Sequence, residues 1–114
     1  MSEYLNPYAH GKFYEARNYL ALGRGTLRNR ICKTFLADLL MVREEDLPDG
    51  MQKDFAQLRA MVTERPPDSW RGSVEATLSD MHWKRVHKCA EMIVDLATKA
   101  DQALDPKWNT RVAK

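Results

Sequence analysis

Val86-His87-Lys88-Cys89-Ala90-Glu91-Met92-Ile93-Val94-Asp95-Leu96-Ala97-Thr98-Lys99-Ala100-Asp101-Gln102-Ala103-Leu104 is the stretch whose reading decides the fold. Its apolar residues fall at Val86, Cys89, Ala90, Ile93, Leu96, Ala97, Ala100 and Leu104. Steps of three and four follow the 3.6-residue period of a helix with one buried face; a half-buried strand would alternate every second residue. Ser79 or Asp80 is the expected cap at its start. Asp105-Pro106 is the expected stop, because a residue before proline is pushed out of helical geometry.

The same period recurs upstream. Asn6 and Pro7 form a helix start, with Asn as cap and Pro at a first position where its missing N–H costs nothing. Ala9, Phe13, Ala16 and Leu20 follow on one stripe, and Gly23 and Gly25 are expected to end it by left-handed turns. Gly11 weakens this first helix by about 1 kcal/mol relative to Ala. Thr26 caps the next segment, where Leu27, Ile31, Phe35, Leu39 and Val42 make one row and Cys32, Leu36 and Leu40 a second. Two adjacent rows predict a wide apolar arc and a central, heavily buried helix. The acidic connector from Arg43 to Gly50 leads into a third stripe, Met51, Phe55, Leu58 and Val62, with Asp46 or Asp49 as cap. Pro66 and Pro67 stop it. Ser73 opens a short helix that buries Val74, Leu78 and Met81. No stretch alternates apolar and polar residues as a strand would.

The expected fold is therefore all-α: a compact bundle of four main helices plus one short one, residues 1–114 as a single domain, with a frayed tail from about 106 in which Trp108 docks. At 114 residues and 13.2 kDa there is room for one core. The chain is 44% hydrophobic and 30% charged, which fits a folded protein and excludes a disordered or collagenous one. No apolar run nears the roughly 18 residues of a membrane span. The opening residues lack the basic, apolar, small-residue order of a secretory leader, and Cys32 and Cys89 cannot build a disulfide framework. A cytoplasmic setting is expected.

Charge is segregated. Residues 1–34 carry six basic and two acidic side chains, residues 35–80 five and ten, and residues 81–114 seven and four, for a net charge of +2. A pI near 8.6 is too mild to demand a nucleic-acid partner. The two basic blocks would nonetheless form a one-sided patch if they met in space.

Catalysis and metal binding need convergent groups. Gly23-Arg24-Gly25-Thr26 lacks the spacing of a phosphate loop and the strand before it. There is no Gly-x-Ser-x-Gly, no Cys-x-x-Cys and no His-Glu-x-x-His. His82 and His87, five apart, would be split by about 140° around a helix. His87 and Glu91 share a face, but two ligands do not close a site. Cys32 and Cys89 lie on apolar rows and read as small buried hydrophobes. Met41, Met51, Met61, Met81 and Met92 read chiefly as core filling. Hence no catalytic residue, cofactor or metal is expected.

The segment His82-Trp83-Lys84-Arg85-Val86-His87-Lys88 breaks a local rule. It gathers cations at the start of a helix, where the macrodipole already favours acids. Such departures mark candidate functional positions. An exposed helix start with Lys, Arg and an aromatic suits a phosphate or a protein surface. Trp70, just after the double proline, is a candidate interface anchor, since Trp is enriched at hot spots.

Phe13-Tyr14-Glu15-Ala16-Arg17 with Leu20 and Leu22, Gly25-x-Leu27-Arg28-x-Arg30, Glu44-Glu45-Asp46-Leu47-Pro48, and Gly72-Ser73-Val74-Glu75-Ala76-Thr77 with Met81 occur in that order. Together they span roughly three quarters of the chain. In this they resemble a group of short all-helical bacterial proteins with no assigned function. The resemblance implies a helical fold and a cytoplasmic, phage- or mobile-element-linked setting, and lends no catalytic residues. Where that group favours acids after the Met, this chain has His82 to Lys88.

The expected function is a non-enzymatic binding protein acting through another protein, a second copy in a homodimer included. The alternative is nucleic-acid contact through a patch of Arg24, Arg28, Arg30 and Lys33 with Lys84, Arg85 and Lys88. Neither a membrane nor a small-molecule substrate is indicated. Trp70, His82, Trp83 and His87 complete the candidate contacts.

Overall fold

A computed structural model describes residues 4–104. Five α-helices follow in order: α1 (Pro7–Leu22), α2 (Leu27–Ala37), α3 (Asp49–Val62), α4 (Ser73–Ser79) and α5 (Trp83–Ala103). Single 3-10 turns occupy Leu39–Met41 and Glu44–Asp46. The expected all-helical architecture is present, with α4 as the short helix. Expectations for the tail, Trp108 included, lie outside the described residues. Among the described residues no helix is long and apolar enough to cross a membrane.

Local chemistry sets the helix starts. The Asn6 side chain accepts the Ala9 N–H at 2.8 Å, with Pro7 at the first position. Thr26 accepts the Asn29 N–H at 3.1 Å. The two glycines between these helices differ in their reasons. Gly25 has φ +94°, a conformation that favours glycine. Gly23 is not left-handed but extended, with φ −70°; it is needed because a Cβ would come within 2.5 Å of the Tyr19 carbonyl oxygen.

α5 is the axis of the core. It packs against α1, α3 and α2, and it buries Val86, Cys89, Met92, Ile93, Leu96, Ala97 and Ala100. Every helix contributes to one apolar cluster, with Phe13, Phe35 and Phe55 fully buried and the Phe13 and Phe55 rings edge-to-face at 5.8 Å. The ends of the described chain meet where the Leu5 N–H donates to the Ala103 carbonyl at 2.9 Å, with Leu5 and Leu104 both buried.

The second segment departs from expectation. α2 stops at Ala37, because Asp38 leaves helical geometry at φ −131°, ψ −60°. Leu39 and Val42 remain buried in the turn that follows, whereas Leu36 is exposed and Cys32 and Leu40 are half-buried. The wide arc is thus only half used, and the helix that buries the most side chains is α5. Its start is also displaced: Ser79 ends α4, Asp80 caps that helix, and α5 begins after His82. Upstream, Pro48 rather than an aspartate stands before α3.

Candidate functional site

The corner between α4 and α5 carries the basic segment. Met81 is buried and anchors it. His82 caps α5, its Nδ1 accepting the Lys84 N–H at 3.2 Å. Because His82 stands outside the helix, the angle expected between the two histidines does not apply. Both lie against Trp83: the His82 ring stacks at 5.8 Å between centroids and the His87 ring meets it edge-on at 6.0 Å. Lys84 Nζ lies 5.8 Å from the Trp83 ring centroid. Trp83 itself is 60% exposed, a platform on the outside of the bundle.

The connector from α3 to α4 folds against this corner. Arg65 pairs with Asp80 at 2.9 Å, and Arg85 with Glu64 at 3.2 Å. Asp68 accepts the Arg71 N–H at 2.8 Å, the Trp70 N–H at 3.2 Å and the Arg71 Nε–H at 2.9 Å. The Trp70 amide, with help from Arg71, holds the Asp68 carboxyl below its ordinary range despite some desolvation. Arg71 also donates to Ser79 Oγ at 2.8 Å. This loop is closed on itself, yet Trp70 is 81% exposed with the Arg71 guanidinium 5.5 Å from its ring. A rigid mount for an outward aromatic is what a low-entropy anchor needs.

The four candidate cations of the first basic block take different surroundings. Arg28 donates to the Leu78 and Met81 carbonyls, the second at 2.8 Å, and so braces the α4–α5 corner from beneath. Arg30 donates to the Leu20 carbonyl near the end of α1, and its Nε is buried without a partner. Arg30 thereby satisfies a carbonyl in the last turn of α1. Arg24 and Lys33 stay exposed and line a groove shared with Cys32 and Glu75. Lys88 lies in a different groove, between α3 and α5. Arg28 and Arg30 thus hold backbone carbonyls and Arg85 holds Glu64, while Arg24 and Lys33 line one groove and Lys88 another.

Burial raises the Cys89 thiol, and burial followed by the Glu75 charge raises Cys32, so both favour the protonated form. Cys32 is half-buried in the groove, more open than its place on an apolar row implied. Among the described residues no three of His, Cys, Asp and Glu come together as a metal would require.

One surface was not foreseen. A groove of about 560 Å³ runs between α5 and the α1–α2 junction, floored by Leu20, Ala21, Leu27, Ala90 and Val94. Its signal was present in the 4-3-4 spacing of Trp83, His87, Ala90 and Val94, but that row borders the core stripe and merges with it in sequence. Compared with models of protein families, with curated proteins and with solved structures, the chain matches none of them.

Proposed function

We propose that this chain is a non-enzymatic binding protein, cytoplasmic in setting, that acts by contacting another protein. One observation carries the proposal: two tryptophans face water at one end of the bundle while the arginines beside them, Arg65, Arg71 and Arg85, already hold carboxylates. Tryptophan and arginine are the side chains that concentrate binding energy at protein interfaces. Paired arginines lower the positive charge of this face, which favours a protein over a polyphosphate. Two thiols kept protonated by burial favour a structural role for the cysteines over a nucleophilic one.

The test is site-specific photo-crosslinking in the cells from which the chain comes, with the reactive group at position 70 or 83 and, as a control, at exposed Glu15. Crosslinks to one protein, or to a second copy, that are strong at 70 and 83 and weak at 15 are expected. Equal labelling at all three positions overturns the proposal. So does salt-dependent retention of DNA or RNA that an Arg85→Ala/Lys88→Ala double variant abolishes, which would favour the nucleic-acid reading. Light scattering of the wild type and Trp70→Ala separates self-association from a foreign partner.

A further inference from the structure

We infer that the groove between α5 and the α1–α2 junction receives an amphipathic helix of the partner, apolar side inward and basic side chains toward Glu91 and Asp95. This rests on the protein-binding proposal above and names the chemistry of what is bound. His87, Ala90 and Val94 line the groove along α5, and Trp83 precedes them by four residues, so the row steps by four, three and four, the repeat with which one helix packs on another. The row extends over roughly 16 Å at 1.5 Å per residue, about three helical turns. Leu27 and Ala21 form the opposing wall. Val94 on the floor is 41% exposed, and Leu22, next to Ala21 in sequence, is 82% exposed.

Charge decides which helix fits. Arg17, the cation on the wall, donates to Asp101 at 2.8 Å and is engaged. Glu91 and Asp95 line the same groove and have no ion pair among the described residues. Two unpaired carboxylates beside an apolar floor ask for lysines or arginines one turn apart on the bound helix. That demand is local, since the chain as a whole carries +2 and repels cations weakly.

Fluorescence anisotropy with the full chain tests this, using two labelled synthetic helices of about 15 residues, the length at which isolated helices become stable. One carries leucine at i, i+3, i+4 and i+7 spacing with lysine elsewhere; the other replaces every lysine with glutamate. The lysine helix is expected to bind at least about tenfold more tightly than the glutamate helix, a difference within reach of a few screened ion pairs. Val94→Asp should weaken the lysine helix by about tenfold or more, as a charge placed on an interface floor does. Glu91→Lys/Asp95→Lys should abolish the preference for lysine, and Trp70→Ala should change nothing. Circular dichroism melts confirm that each variant folds. Equal binding of the two helices, or lysine-helix binding indifferent to Val94→Asp, overturns the inference. A wild-type dimer that Val94→Asp dissociates also overturns it, in favour of a second copy as occupant. Should both helices fail to bind while crosslinking at positions 70 and 83 persists, the groove assignment falls and the binding proposal stands.

Discussion

The two ends of α5 use the same chemistry for opposite purposes. At the C-terminal end, Asp101 takes His10 Nε2 and Arg17 Nη1, each at 2.8 Å, and ties α5 to α1 across a half-buried seam. At the N-terminal end, Asp68, Glu64 and Asp80 take Arg71, Arg85 and Arg65. Those pairs brace a loop and a corner from which Trp70 and Trp83 project into water. The first end directs its polar bonds into closure of the chain; the second directs them into presentation. Ion pairs therefore do not identify the site. The two outward tryptophans do, since the first end exposes tyrosines but no tryptophan among the described residues.

Both ends rest on one core, so the largest effect comes from a substitution that breaks them together. Phe55 is fully buried on α3 and meets Phe13 edge-to-face. Phe55→Ala should cost about 3–5 kcal/mol, enough to lower the Tm of a chain this size by more than about 10 °C. Thermal denaturation by circular dichroism checks this. Partner crosslinking at Trp70 and Trp83 should fail in parallel with the loss of fold.

Arg28 comes next, because it links the second end to α2. Arg28→Ala strands the Met81 carbonyl and removes one of the donors to that of Leu78, which the Met81 N–H also reaches. A half-buried acceptor left unsatisfied costs about 1–3 kcal/mol. Arg28→Lys should recover only part of this, since an ammonium lacks the planar fork that reaches two carbonyls together. Arg24→Ala, at an exposed position, should leave denaturant midpoints unchanged. Equal losses from the two alanine variants would show that Arg28 does not brace the corner.

Much of this comparison was legible in the sequence, and what was not has a physical cause. Asn6 and Thr26 were readable as caps because the N–H each accepts lies three residues ahead. The stripe from Val86 to Leu104 was readable because burial repeats with the helix. The end of α2 was hidden, since Leu39 and Val42 keep helical spacing although the backbone has turned into a 3-10 segment. His82 was missed as a cap because an imidazole nitrogen is an uncommon acceptor there. Arg28 looked like part of a basic patch because its partners lie 50 and 53 residues downstream. Trp70 is legible from its residue type and its place after Pro66 and Pro67, whereas the loop that fixes it depends on contacts with Ser79 and Asp80 that no local pattern encodes.

The first end should be sensitive to acid. Burial tends to raise the Asp101 carboxyl, but hydrogen bonds from His10 and Arg17 outweigh it and hold the group below its ordinary value. A depressed carboxyl binds fewer protons in the folded state than in the unfolded one, so stability rises with pH through its titration. The contribution is complete well above the unfolded value of about 3.9 and is lost as pH falls through the lower folded value. Asp101 is partly exposed, so solvent screening limits the effect to about 1 kcal/mol or less. Denaturant titrations between pH 6 and pH 2.5 should show a shallower acid-induced decline in Asp101→Asn than in the wild type. Superimposable curves would show that the seam does not contribute.

The smallest effect on stability belongs to the residue with the largest assigned role. Trp70 is 81% exposed and contacts the bundle through Arg71. Trp70→Ala should shift stability by no more than about 0.5 kcal/mol, as surface substitutions do. Its loss should nevertheless remove most partner crosslinking read from position 83, because one aromatic anchor often carries several kcal/mol of an interface. Asp68→Ala offers the sharper comparison. It leaves Trp70 in place and removes the carboxylate that fixes the loop, so Tm should fall only slightly while partner capture weakens and the anisotropy of Trp70, read with Trp83 and Trp108 both replaced by Phe, falls. If capture survives Asp68→Ala undiminished, the loop contributes exposure without preorganisation. The contrast between a closing end and a presenting end would then reduce to the position of one side chain.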